Sequence, residues 1–437
     1  MAEDTQRITL GSPVAEHRHE KLAFPDGFLW GTATAAYQVE GDNEHSEWWR
    51  WERENPNLVR EPSGVAVDHY HRYEEDLNLA KELNTNFYRF SIEWSRIVPH
   101  EGAVDRHELE HYGNMLRACR VRGIKTMVTL HQFTNPQWLM DKGGWTRASA
   151  ARAFADFARI VAEEYADLVD YWVTINEPMV YVSQGYVAAK WAPAKRNYWQ
   201  AFQVYRHLVA AHKEAYRVIH AVGEKRGLAV RVGAANNLIS IETYRKHKWF
   251  DQLYAWFVDK VWNHAFIDAT AGYHDYLGVN YYFHQRIRPG KRRLFGLIVD
   301  IRDEQRDMSD IGWEVYPSGL FDALLDIADS YNLPIIITEN GIATKNEDRR
   351  ARYIVSYVKE LYHALAAGID LRGYCYWSLL DNFEWEKGFD ANFGLIEVKR
   401  PSLDRIIKPS ARIYAQIAKE NGIPHDLLRF IGHEAKL

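Results

Sequence analysis

The sequence predicts an α/β fold, a single-domain (β/α)8 TIM barrel. Three observations carry this reading: eight short apolar, β-rich runs, helical periodicity between them, and no linker or repeat to divide the chain. The runs are Phe28–Ala33, Phe87–Ile92, Lys125–Leu130, Tyr171–Ile175, Val230–Ala235, Tyr276–Tyr282, Pro334–Thr338 and Tyr374–Leu380. Eight is the number a closed parallel barrel requires. Helical spacing follows in Phe154, Phe157, Ala158, Val161, Tyr165 and Leu168, and again in Ala201, Val204, Tyr205, Leu208, Ala211, Ala215, Val218 and Ile219. Ile354, Val358, Leu361 and Leu365 repeat it before Gly368, a helix stop. The absence of a low-complexity linker or a 20–50-residue repeat leaves one continuous domain.

Composition agrees. A chain of 437 residues is long for one core, but a closed sheet organises such a length. With 47% apolar and 26% charged residues the composition is globular. A net charge of -5 gives no field that would gather a polyanion, so nucleic acid is not an expected partner. Cys119 and Cys375 lie far apart in apolar surroundings, which reads as two buried thiols in a reducing compartment. Met1 to Lys21 is polar, without an apolar segment for secretion, and no run approaches membrane-spanning length. The expectation is a cytoplasmic protein with a loose N-terminal arm over 1–22, a barrel over 23–437, and no membrane partner. Aromatic residues reach 14%, including 16 Trp, a content compatible with stacking on sugar faces.

In a barrel of this kind the reactive groups sit where strands end. The fourth run ends Thr174-Ile175-Asn176-Glu177-Pro178 and the seventh ends Ile337-Thr338-Glu339-Asn340-Gly341, which places a carboxylate at each of two strand mouths. Two carboxylates on one pocket are the minimum machinery for glycoside hydrolysis. The competing reading is two surface glutamates at helix starts, where negative charge is also favoured.

The full strings decide between them. Thr-Ile-Asn-Glu-Pro followed by Ile-Thr-Glu-Asn-Gly resembles the two signature segments of glycoside hydrolase family one, the β-glucosidase and β-galactosidase family. Phe28-Leu-Trp-Gly-Thr-Ala-Thr-Ala-Ala-Tyr-Gln38-Val-Glu-Gly, Tyr88-Arg89-Phe-Ser-Ile-Glu-Trp-Ser-Arg-Ile, Gly278-Val-Asn-Tyr-Tyr282 and Trp377-Ser-Leu-Leu-Asp-Asn-Phe-Glu384-Trp385 agree. The resemblance runs from about Phe24 to about Gly422. It implies that Glu177 is the acid/base, Glu339 the nucleophile of a retaining double displacement, and Asn176 a partner of the sugar 2-hydroxyl. It further implies that Arg89 and Tyr282 hold Glu339 in its charged form, while Glu177 has a raised pKa. Sugar recognition falls to Gln38, Trp377, Glu384 and Trp385, with Phe393 closing the pocket and Trp313 as an aglycone platform. The substrate implied is a small β-glycoside or oligosaccharide, with no cofactor required.

Two departures from the family pattern stand out. The third strand normally ends in a histidine four residues before Pro136; here that position is Gln132, with His131 one residue earlier. Gln132 can still bond a sugar hydroxyl, and His131 either substitutes for the missing ring or faces the core. The segment after the helix ending near Asp268 is short, leaving only Ala269 to His274 before the sixth run. Phe250, Leu253, Tyr254, Phe257, Val258 and Val261 keep helical spacing and are read as its core-facing stripe, with Trp249, Trp256, Trp262, His264, Phe266, Tyr273 and His274 off it. The first reading is a repacked core. The alternatives are a groove covered by a second subunit, making a homo-oligomer, or by a planar cofactor such as haem, for which Tyr254, His264, Tyr273 and His274 carry known axial-ligand groups.

Rival functions read less well. A silent sugar-binding protein on the same scaffold has no need of both glutamates. A 6-phospho-β-glycosidase would require a cationic cradle where Glu384 stands. Metal-assisted hydrolysis lacks a ligand cluster, His69 and His71 matching no strand end.

Overall fold

The structure, a computed structural model, describes residues 21–290, 293–298 and 306–432. Among the described residues thirteen strands follow in chain order: β1 Lys21–Ala23, β2 Leu29–Ala33, β3 Phe87–Ser91, β4 Lys125–His131, β5 Tyr171–Asn176, β6 Val232–Thr243, β7 Leu277–Gly290, β8 Arg293–Ile298, β9 Ile335–Asn340, β10 Leu371–Trp377, β11 Ile396–Lys399, β12 Asp404–Ile407 and β13 Gly422–Pro424. Eight of them, β2 to β7 with β9 and β10, pair in parallel in chain order, and the β10–β2 and β6–β7 pairings close the ring. This is the expected (β/α)8 barrel.

Its strands bury both faces, so they read as continuous apolar runs. Leu29, Phe87, Met127, Val173, Ile336 and Cys375 fill the interior, and Tyr282, Trp377 and Phe393 extend that cluster to the mouth. Outside the sheet, the helix Ser149–Tyr165 buries Phe154, Phe157 and Val161, the helix Tyr198–Arg226 buries Val204, Leu208 and Ala215, and the helix Glu347–Ala366 buries Ile354, Val358 and Leu361. Each of the Val, Leu, Ile and Phe side chains among these stabilises the fold by about 1.5–3 kcal/mol. Both cysteines are free and buried. No helix among the described residues is long and apolar enough to cross a membrane.

Three expectations need correction. The fifth and sixth runs are much longer than read: β6 has 12 residues and β7 has 14. The alternation Leu238-Ile239-Ser240-Ile241-Glu242-Thr243 continues the strand beyond the polar pair Asn236-Asn237, and the two strands climb past the barrel rim together. The eighth run is shifted, ending at Trp377 instead of Leu380, because the chain after it turns across the mouth. The arm expected over 1–22 lies outside the described residues except at its end, where Lys21 and Leu22 belong to β1, paired antiparallel with β13.

The loops after β9 and β10 are joined by one cation. Arg350, fully buried on the helix Glu347–Ala366, donates to the carbonyls of Ile342 (3.0 Å), Phe393 (3.1 Å), Asn392 (3.0 Å) and Thr344. Arg350→Met is expected to leave these acceptors unsatisfied and to lower unfolding stability by about 3–5 kcal/mol, read as a fall in the urea midpoint at unchanged slope.

Candidate active site

Asn176 ends β5, and Glu177 follows in the left-handed region (φ 46°), with Pro178 opening the helix Pro178–Val182. A non-glycine residue pays for that conformation, and here it sets the Glu177 side chain at the rim while its N–H still bonds the Ala235 carbonyl at 2.7 Å. Glu339 lies within β9, one residue before its end. The residue that follows the strand has to be a glycine, Gly341, because a Cβ there would stand 1.9 Å from the Trp377 carbonyl oxygen.

The two carboxylates have opposite surroundings. Glu339 accepts from the Arg89 guanidinium at 2.5 Å, from the Tyr282 hydroxyl at 2.7 Å and from the Gln132 amide at 3.2 Å. Arg89 is itself fixed, donating to Thr129 Oγ1 (3.1 Å), the Thr338 carbonyl (3.1 Å) and Asn176 Oδ1 (2.8 Å). A cation, a phenol and an amide around two oxygens are what an ionised carboxylate satisfies. Among the described residues, no cation pairs with Glu177. It accepts only from the amides of Asn280 (2.8 Å) and Asn237 (3.0 Å), and burial, reinforced by the charge of Glu339, pushes it up to about 8.

Between them stand open hydrogen-bonding atoms. Asn176 Nδ2 and Gln132 Oε1 are buried without a partner, one a donor and one an acceptor facing no other protein group. Gln38 donates to the Phe383 carbonyl (2.7 Å), Asn382 Oδ1 (3.1 Å) and Glu384 Oε2 (3.2 Å), so Gln38 and Glu384 form one unit. Trp377 and Phe393 lie in the inner cluster with Tyr282, and Trp313 packs on Tyr282, Phe283 and Phe393 at ring separations of 5.1–6.0 Å. Trp385 is held differently, stacked on Tyr37 and packed on Trp48, Phe133 and Trp191.

Of the twelve residues expected at the site by sequence, Arg89, Gln132, Asn176, Tyr282 and Glu339 are joined by these hydrogen bonds, and Glu177 joins them through Asn280. Trp313, Trp377 and Phe393 cluster with Tyr282, Gln38 pairs with Glu384, and Trp385 packs in a separate aromatic group. His131 is not one of the group: it is buried, bonds Asn135 (3.0 Å) and packs edge-on to Trp145 and Tyr181, and burial lowers its pKa to about 4. It faces the core and Gln132 alone takes the place beside Glu339. The residues missed were Asn237 and Asn280. A polar amide at the end of an apolar barrel run was the available signal, present in Asn236-Asn237 and within Gly278-Val-Asn280.

The flank differs from its reading. In the helix Trp249–Asp259 the inward residues are Asp251 and Ala255, whereas Phe250, Leu253 and Phe257 of the expected core stripe are exposed. Arg245 grips Asp251 through two bonds of 2.6 and 2.8 Å, which lets a carboxylate sit buried, and Ala255 admits close approach to β6 and β7. The rings read as one groove do not form one: Phe266, His264 and His274 are buried, and Trp249 and Trp256 are exposed. His264 has both ring nitrogens engaged, by Tyr331 (2.9 Å) and Asp326 (2.7 Å), and His274 bonds Thr270 and stacks on His212. Tyr273 accepts from Arg217 at 2.6 Å, and Tyr254 is half-buried. Asp259, His264 and Asp326 do gather potential ligand atoms within 4.8 Å, a cluster that sequence spacing did not reveal; in this structure it is an ion-pair network.

A TIM barrel whose mouth holds one gripped and one protonation-prone carboxylate, with buried open amides between, defines a glycoside-processing enzyme. Comparison with known proteins agrees. Residues 20–423 match the family described as Glycosyl hydrolase family 1, and the chain belongs to it. It is 31% identical over 448 residues to Beta-glucosidase A of Acetivibrio thermocellus, covering 92% of this chain and 99% of the other. Among solved structures it is similar to a beta-glycosidase from Pyrococcus horikoshii (TM-score 0.88, 36% identity, 94% and 98% coverage). It is also similar to the beta-glucosidase from Thermotoga maritima in complex with glucoimidazole (TM-score 0.85, 29% identity, 92% and 100% coverage).

The Glu177 environment sets a pH dependence. With Glu177 as proton donor, the role the family resemblance implies, the group would be competent below its pKa and kcat/KM would fall as pH rises through about 8. The Asn237 amide bonds the ionised form and holds the pKa down, so Asn237→Ala should move the basic limb to higher pH; a limb left in place in the kcat/KM profile would contradict this account.

Proposed function

We propose that the protein hydrolyses terminal non-reducing β-D-glucosidic bonds, with β-galactosides and β-fucosides as further substrates, by a retaining double displacement. The observation that carries this is the asymmetry of the carboxylates, Glu339 gripped by Arg89 and Tyr282 and Glu177 raised to about 8 by burial. In the first step the Glu339 carboxylate attacks the anomeric carbon while Glu177 gives its proton to the leaving oxygen, so the glycosidic C–O bond breaks and a glycosyl ester forms. In the second, the ionised Glu177 takes a proton from water, the water oxygen attacks the anomeric carbon, and Glu339 leaves as carboxylate. The chemistry uses these two groups and water, with no cofactor.

Charge on the ring oxygen develops in the transition state, and a bond to the 2-hydroxyl strengthens with it; the open Nδ2 of Asn176 is suited to that role. The Gln38–Glu384 unit suits the outer hydroxyls, and a carboxylate bonds a 4-hydroxyl of either orientation. Lys387 is paired with Glu386 at 2.6 Å, and so offers no cradle for a 6-phosphate. The similarity to proteins named as β-glucosidases supports the same substrate class.

Proton NMR of early hydrolysis should show the β-anomer first, and α-glucose first would remove Glu339 as nucleophile. Glu339→Ala should lose turnover by about 10^4-fold or more and give the α-glycosyl azide with azide, whereas Glu177→Ala should retain more activity on nitrophenyl than on alkyl glucosides and give the β-azide. Equal losses on all leaving groups would count against Glu177 as the acid. A panel of nitrophenyl glycosides should show unphosphorylated glucosides accepted and 6-phosphoglucosides refused.

A further inference from the structure

Among the described residues, the helix Trp249–Asp259 leaves an apolar face largely uncovered. Trp249, Phe250, Leu253, Trp256 and Phe257 keep 73, 53, 50, 58 and 48% of their surface exposed. At about 100° per residue these five side chains fall within an arc of about 120°, centred opposite the buried Asp251 and Ala255. The stripe is therefore one continuous surface. Single exposed apolar side chains are ordinary, but a contiguous stripe of them is not, because it leaves a continuous apolar area in water that a partner could cover.

Among the described residues, the exposed charges beside it are basic. Arg245, Lys246, His247 and Lys248 lead into the helix and are all exposed, and the exposed Arg288 lies over the ring of Tyr244, itself 43% exposed. Among the described residues Lys246 and Lys248 form no ion pair. The nearby acids are turned inward: Asp251 to Arg245, Glu242 to Arg286 and His284, and Asp259 to Asn263 and His264. An aromatic face rimmed by basic residues is the composition of a helix lying in a membrane interface, where rings enter the headgroup boundary and lysines meet anionic lipid.

From this we propose that the helix Trp249–Asp259 docks the enzyme on the surface of an anionic phospholipid bilayer. A second copy of the chain fits the face less well. A second copy would bring a face with the same positive rim, whereas an anionic bilayer brings the opposite charge and needs no shape complementarity. Each lysine near its surface contributes, and the contribution weakens with salt.

Co-sedimentation of the full chain with vesicles tests this. The protein should pellet with phosphatidylglycerol–phosphatidylcholine vesicles at least tenfold more than with phosphatidylcholine alone, and less as salt rises. Trp249→Ser with Leu253→Ser, Trp256→Ser and Phe257→Ser should abolish pelleting while circular dichroism and the melting midpoint are kept. Lys246→Glu with Lys248→Glu should weaken it severalfold, which decides the matter if the serine variant fails to fold. Protein that stays in the supernatant with both vesicle types, or serine and glutamate variants that pellet like the parent, overturns the proposal. A concentration-dependent dimer in sedimentation velocity that the serine variant abolishes, without vesicle binding, would instead assign the face to a second copy.

Discussion

Arg89 is fully buried, and its charge has to be neutralised before the mouth of the barrel can close. Removing an ion from water costs several kcal/mol, which geometry and hydrogen bonds must offset. The offset here comes from four directions: Glu339 on β9, the Thr338 carbonyl beside it, Thr129 on β4 and Asn176 on β5. One side chain on β3 thus fixes the ends of three other strands. Breaking it would leave a buried carboxylate facing Tyr282 and Gln132 without a cation, so the same bond that completes the fold also sets the electrostatics of the site.

The second carboxylate gains its character from what it lacks. Asn280 bonds both Asn176 and Glu177, at 3.1 and 2.8 Å, and Thr338 fixes Asn280 in turn at 2.6 Å. Through this chain of neutral groups Glu177 is positioned relative to Arg89 without receiving its charge directly. Burial then decides, and the carboxyl holds its proton to about 8. A lysine in place of Asn280 or Asn237 would stabilise the ionised form and remove the difference between the two acids on which a proton-donating role depends.

Much of this was legible in the amino-acid sequence because a parallel barrel buries both faces of its strands, which writes them as uninterrupted apolar runs, and because Glu177 and Glu339 stand at or beside the points where two such runs stop. The extension of β6 was harder to read, since Asn236-Asn237 looks like a strand end and is in fact the site's own polar insertion. Asn237 and Asn280 went unrecognised for the related reason that an amide's role depends on which side chain the fold brings opposite it. The helix Trp249–Asp259 was misjudged because periodicity identifies a stripe and leaves its direction open. The tie between Arg245 and Asp251, six positions apart and bridging the helix start, is what turned the acid inward and the rings outward.

The pairing of the chain's two ends has a consequence for how the molecule is made. β2 is held on one side by β3 and on the other by β10, and β1 finds its partner only at Gly422–Pro424. Arg89 likewise waits 250 residues for Glu339. During synthesis the first half of the barrel therefore emerges with an open strand edge and an unmatched cation at its centre, and neither can be resolved by local contacts. The sheet and the ion pair between Arg89 and Glu339 can both be completed only once the last quarter of the chain has arrived.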